Sequence, residues 1–131
     1  MSYSQAPCIL AVDDMVDNLF LLQVLLESEG YRVETADSGR AALDKAKAKP
    51  PDLVLLDIMM PDMDGCEVTR HLRQNQQLSN VPILLLTAHK DFNVKAGLEA
   101  GANDLIRKPI DFDELLDRIS AIFKPGTDTS T

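Results

Sequence analysis

The chain has 131 residues, with 13 Lys and Arg against 21 Asp and Glu, a formal net charge of −8 and 45% hydrophobic residues. One domain of this size can build a full core without disulfide or metal staples. The acidic balance argues against nucleic-acid binding by this chain, which needs clustered Lys and Arg. No apolar run approaches the roughly 20 residues of a spanning helix, and the N-terminus, with no basic start, runs into Asp13-Asp14 and is not read as a signal peptide.

Cys8 and Cys66 are the only cysteines. Without a secretory signal both are expected to be reduced, and with two His they are too few for a zinc site. A cytoplasmic location follows as the expectation.

Cys8–Val12 reads as a short buried strand stopped by Asp13-Asp14. Residues 15–28 follow with apolar side chains at Val16, Leu19, Phe20, Leu22, Leu25 and Leu26, a helical spacing that Gly30 ends. Residues 31–35 alternate as a strand. Residues 38–48 predict an Ala-rich helix with Ser38 as N-cap, basic residues in its last turn and Pro50-Pro51 beyond. Leu53 to Leu56 is wholly apolar and ends in Asp57, as a strand buried on both faces of a parallel sheet does. Turn residues 61–65 lead to a helix from about Asp64, with Glu67 placed as in a capping box.

After a polar loop at 75–80, residues 81–86 form another buried strand ending at Thr87. A helix is expected at 91–100, closed by Gly101, then a strand at 104–107 and a last helix at 111–123. The expected domain is 1–125, with 126–131 as a polar tail or the start of a linker. Five strands alternating with five helices predict an α/β doubly wound parallel sheet with right-handed crossovers. Ligands of such sheets bind outside the carboxyl ends of the strands.

Those ends carry Asp13-Asp14, Asp57, Thr87 and Arg107-Lys108. Singly, each has a plain explanation: Asp13 or Asp14 as a helix cap, Thr87 as a β-branched strand residue, Lys108 as a solvated lysine. Asp57 is harder to dismiss, since a carboxylate closing an apolar strand must be paired or wet. Together they converge on one pocket. Two unit charges about 4 Å apart interact by roughly 4 kcal/mol at an effective dielectric of 20, so three carboxylates there call for Lys108 and a divalent cation. An all-oxygen set with open positions suits Mg²⁺. Asp, Asp, Asp, Lys and a hydroxyl around such an ion make a phosphoryl-transfer site with a carboxylate nucleophile.

VDD at Val12–Asp14, LLD at Leu55–Asp57, MPDMDG at Met60–Gly65, LTA at Leu86–Ala88 and KP at Lys108–Pro109 resemble, in order, the receiver domains of bacterial two-component response regulators. The resemblance spans about Ile9 to Phe123. It implies a flavodoxin-like (βα)5 sandwich with strand order 2-1-3-4-5. It implies that Asp57 accepts a phosphoryl group from a histidine kinase or phosphotransfer protein. Mg²⁺ would be held by Asp14 and Asp57 directly, by Asp13 through water and by the backbone carbonyl of Met59. Thr87 and Lys108 would bind the phosphoryl oxygens, and the Lys108–Pro109 bond would be cis. The face of the last helix, the strand before it and the fourth helix would serve a downstream protein partner.

Two departures stand out. The position three before Lys108, commonly aromatic in the family, is Leu105, which puts the family's Thr–aromatic coupling in doubt. Of the positions that tune hydrolysis of the acyl phosphate, Met59 offers no polar group; for His89 the plainer reading, an exposed loop residue, is preferred.

The resemblance makes the chain a phosphorylation-activated signalling domain of a phosphorelay and not a metabolic enzyme. A phosphatase with an aspartyl-phosphate intermediate would need an acid two residues after Asp57, where Met59 stands. A nucleotide or flavin module would need a Gly-rich or Ser/Thr-rich loop after the first strand, where Asp13, Asp14 and Met15 stand. A closer rival is a pseudo-receiver acting by protein contact without phosphorylation, against which the complete acidic set argues.

Overall fold

A computed structural model describes residues 6–88 and 94–123. Its elements are β1 (Cys8–Val12), α1 (Val16–Ser28), β2 (Arg32–Ala36), α2 (Gly39–Ala48), β3 (Leu53–Asp57), α3 (Gly65–Gln74), β4 (Ile83–Thr87), α4 (Val94–Ala100), β5 (Asp104–Arg107) and α5 (Phe112–Phe123). The strands form one parallel sheet in the order β2-β1-β3-β4-β5. This is the layered architecture and strand order expected above.

The continuous apolar runs of the central strands serve two cores at once, because alternate side chains leave a strand on opposite faces. Leu10, Val12, Val54, Leu56, Ile83 and Leu85 pack with Ala42, Leu43 and Ala46 of α2 and Val68 and Leu72 of α3. Ile9, Ala11, Leu53, Leu55, Leu84 and Leu86 pack with Leu19, Leu22 and Leu26 of α1 and Leu115 and Ile119 of α5. Among the described residues no helix is long and apolar enough to cross a membrane.

Where element ends differ from the sequence reading, backbone hydrogen bonds explain the shift. β2 begins at Arg32 rather than residue 31, since the Tyr31 amide donates to Leu26 O at 3.1 Å and closes α1. Gly30, at φ +94°, makes that reversal. β4 begins at Ile83 rather than 81, because the Val81 amide donates to Leu78 O at 3.2 Å and Pro82 has no N–H. Ser38 caps α2 as expected, its Oγ accepting from the Ala41 amide at 3.1 Å. Asp64 caps α3, accepting from the Glu67 amide at 2.9 Å. Of the helix expected at 91–100, Val94–Ala100 is observed and residues 91–93 lie outside the described residues.

α1 departs most from its apolar pattern. Leu19, Leu22 and Leu26 are buried, while Val16, Phe20, Leu21 and Val24 are each at least half exposed. Apolar residues surround so much of this helix that spacing alone does not select the buried stripe.

At the amino end of the sheet, Arg73 of α3 joins several segments. Its Nε donates to Gly101 O at 2.9 Å, Nη1 to Val81 O at 2.7 Å and Nη2 to Asn103 Oδ1 at 3.0 Å. Asn103 Oδ1 also accepts from the Ile83 amide at 2.8 Å. Burial lowers the Arg73 pKa from its ordinary value. Gly101 lies at φ +120°, and a Cβ on it would stand 2.7 Å from Arg73 Cγ. Gly101→Ala is therefore expected to cost at least about 1–2 kcal/mol through backbone strain, more with the collision, and urea unfolding measures it directly.

Candidate phosphoacceptor site

The parallel arrangement sends the carboxyl ends of β1, β3, β4 and β5 to one edge. Asp57 is the last residue of β3 and Thr87 the last of β4; Asp13-Asp14 follow β1 and Lys108 follows β5. β1 and β3 are neighbours, so Asp13 and Asp14 meet Asp57 although 43 or more residues separate them. One carboxylate oxygen from each of the three lies within 4.8 Å of the other two. Asp13 and Asp57 are buried, and Asp14 is exposed.

Lys108 lies between the two buried acids, with Nζ 3.2 Å from Asp13 Oδ2 and 3.4 Å from Asp57 Oδ1. Thr87 is fully buried, and its carbonyl accepts from the Lys108 backbone amide. The Lys108–Pro109 bond is cis, as the resemblance implied. All the acidic, hydroxyl and basic side chains singled out in the sequence thus stand at one edge. Met59 lies two residues beyond Asp57 and is largely exposed. Met60 instead enters the core and Met63 packs against it. His89 lies outside the described residues; His71 is exposed on α3.

The plain reading of Asp13 as a helix cap is half right. Met15, the N-cap of α1, makes no side-chain cap bond, and Asp13 Oδ1 instead accepts from the Met15 amide at 2.9 Å just before the helix. Asp13 Oδ2 accepts from Asn18 Nδ2 at 3.1 Å as well as from Lys108. Asn18 was not foreseen; in the sequence it is one of two adjacent polar residues, with Asp17, in the first turn of α1, and nothing there singles it out. It leaves Asp13 held from three directions.

Asp57 is less well served. Burial pushes its carboxyl pKa above the ordinary range; the Lys108 ammonium pulls it down, while Asp13 and Asp14 push it up again. When ionised, the three acids exceed by two negative charges the one ammonium that meets them among the described residues. That excess, an all-oxygen donor set and an exposed member open to water fit a hard divalent cation such as Mg²⁺.

A family model described as the response regulator receiver domain matches residues 9–120. The chain belongs to that family. It is 45% identical over 117 residues to the alkaline phosphatase synthesis transcriptional regulatory protein PhoP of Bacillus subtilis, covering 88% of this chain and 48% of that protein. It is 43% identical over 123 residues to a transcriptional regulatory protein CpxR homolog of Haemophilus influenzae, covering 93% and 52%. The receiver thus spans about half the length of the curated relatives it matches. Among solved structures it resembles the chemotaxis protein CheY4 of Vibrio cholerae, with a TM-score of 0.84, 34% identity, and 89% of this chain and 98% of that one covered. It also resembles the receiver domain of a signal transduction histidine kinase from Syntrophus aciditrophicus, with a TM-score of 0.85, 33% identity and 96% of each chain covered.

The charge balance makes a prediction for the receiver without divalent cation. Because folding raises the Asp57 pKa, the folded state holds that proton more tightly than the unfolded chain, and stability falls as pH rises through the window just above the ordinary carboxylate value. Asp57→Asn is expected to melt a few degrees higher than wild type near pH 7 in chelator, with the gain vanishing as pH drops below that window. Melting curves from pH 3 to pH 8 check both sign and window.

Proposed function

We propose that this receiver, taken as residues 1–125 with 126–131 as tail or linker, takes a phosphoryl group onto Asp57 from a histidine kinase or phosphotransfer protein and switches conformation to control a partner. The observation that carries the reading is the convergence of Asp13, Asp14 and Asp57 on one another with Lys108 bridging the two buried acids. A pseudo-receiver would have no need of such a cluster, whose repulsion costs stability.

Asp57 is the nucleophile. Its carboxylate oxygen forms a bond to phosphorus as the bond from phosphorus to the donor nitrogen breaks, leaving an acyl phosphate on Asp57. The raised pKa does not prevent this, since Lys108 favours the ionised form. Lys108 then holds the phosphoryl oxygens, and the Thr87 hydroxyl donates to one of them. Asp14 and Asp57 would hold Mg²⁺ directly, Asp13 through water, and Met59 through its backbone carbonyl; the ion supplies charge neutralisation on the transferring group. Asn18 and the Met15 amide keep Asp13 in place. The domain assists only its own phosphorylation and dephosphorylation.

The new charge shifts a two-state equilibrium. A swing from mostly inactive to mostly active needs roughly 5.5 kcal/mol of differential interaction, within reach of several charge-assisted bonds of about 1.5–3 kcal/mol each. Leu105, where the family commonly has an aromatic side chain, is half-buried against the core and lines an open groove with Leu98, Arg107 and Arg118. Leu105 thus gives this face an apolar side chain where the family commonly has an aromatic one. The α4–β5–α5 face is the surface we assign to the downstream partner, and we place the protein in the cytoplasm.

A cleft of about 240 Å³ adjoins the acids, lined by Asp13, Lys108, Leu21, Pro109, Ile110 and Phe112 among others. Exposed Leu21 of α1 and Phe112 of α5 line this cleft, and exposed apolar surface beside a reactive pocket suits a protein donor.

Intact mass after incubation with acetyl phosphate tests the acceptor. Wild type with Mg²⁺ is expected to gain one phosphoryl group, and neither Asp57→Asn nor the Mg²⁺-free sample should gain any; equal labelling of the variant refutes the assignment. Leu21→Arg is expected to slow transfer from a protein donor at least about tenfold, the effect of roughly 1.4 kcal/mol, while acetyl phosphate labels it at the wild-type rate. Equal slowing with both donors would remove the docking role.

A further inference from the structure

The loop after Asp57 is anchored to α2, which packs beside α3 on the same face of the sheet. Asp62 Oδ1 accepts from the Gly39 amide and Oδ2 from the Arg40 amide, each at 3.1 Å. These are the first two residues of α2, whose amides lack intrahelical partners. Ser38 satisfies only the Ala41 amide, so this helix end is completed by a residue 22 or 23 positions away. The two bonds hold the Asp62 carboxyl below its ordinary pKa, and the positive end of the helix dipole favours its charge.

Two contacts make the anchor narrow. A Cβ on Gly39 would stand 2.8 Å from Met63 Cβ, so the loop lies directly on the helix start. At its far end the Gly65 amide donates to Ile58 O at 2.9 Å, and a Cβ on Gly65 would stand 2.8 Å from Asp57 O. Residues 58–65 therefore close on themselves at the acceptor strand, with Asp62 holding the outer part of the closed loop.

We propose that Asp62 is a positioning residue for the acceptor site: by binding the first two amides of α2 it sets the conformation of the 58–64 loop, and with it the backbone of Met59. The proposal rests on the phosphoacceptor reading for its metal arm and on the loop geometry alone for its other arm. Asp62 touches neither Asp57 nor the acids, and acts through the chain that connects them. Asn at this position keeps one carbonyl oxygen and hence one of the two bonds; Ala keeps none.

The test compares wild type, Asp62→Ala, Asp62→Asn and Ser38→Ala, the last weakening the same helix end without touching the loop. Hydrogen exchange at the Gly65 amide reports loop closure without metal, and calorimetric titration with MgCl₂ reports the donor set. Asp62→Ala is expected to lose Gly65 protection and to bind Mg²⁺ about tenfold more weakly, the effect typical of losing support behind a metal ligand. Asp62→Asn should fall between, and Ser38→Ala should melt lower with both readouts at wild-type values. If Asp62→Ala merely melts lower, as Ser38→Ala does, the proposal is overturned. Were wild type to bind no Mg²⁺, the phosphoacceptor reading would fail instead, and Gly65 exchange alone would decide for or against Asp62.

Discussion

Three carboxylates at the ends of two adjacent strands share, among the described residues, one ammonium, and much of this molecule is arranged around that imbalance. Asp13 and Asp57 are buried and Asp14 is exposed, with one oxygen of each within 4.8 Å of the others. Like charges at such spacing repel by several kcal/mol at protein-like dielectric, and burial adds to the cost. Asp13 is relieved by Lys108, Asn18 and the Met15 amide, so most of the residual strain falls on Asp57. A site in this condition gains from any ligand that brings positive charge among the acids. The cation site proposed above would relieve the same repulsion that this arrangement of acids creates.

Only a rigid frame can hold such a cluster together. The frame is the double core, in which leucine, isoleucine and valine of β1, β3 and β4 fill both sides of the sheet and leave the strand ends little freedom. The loops beyond those ends are braced by polar bonds rather than by burial. Asp62 on the start of α2, Asp64 on the start of α3 and Asp111 on the start of α5 each offer a carboxylate to amides that a helix leaves unpaired. At the opposite edge Arg73 works in the reverse sense, a cation donating to backbone carbonyls and Asn103. These three of the 21 acidic residues are therefore structural elements of the loops, and the net charge of −8 is not simply a solvated surface.

Legibility in the sequence followed the range of the interaction. Strand runs such as Leu53 to Leu56, the Ser38 and Asp64 caps and the Gly30 stop are written within a few residues, and the structure repeats them. The strand ends carried most of the site because a parallel sheet collects carboxyl ends at one edge. What failed was long-range or degenerate. Nothing near Asp62 announces a bond to residues 39 and 40, nothing near Asn18 marks it as a partner of Asp13, and α1 is apolar on too many sides for spacing to select its buried stripe. The one-residue shift of β2 arose because the Tyr31 amide was already committed to the end of α1.

By itself the sequence determined the class of fold, the family and the list of candidate side chains, since apolar runs, helix caps and short acidic motifs are local patterns readable in order. The tertiary structure alone decided which oxygens come within 4.8 Å, that Lys108 bridges the two buried acids, and that the loop after Asp57 leans on α2. The reason is physical. Local pattern settles how each segment bonds to itself, whereas distances between segments depend on how two cores pack on one twisted sheet, and the electrostatics of the site depend on those distances.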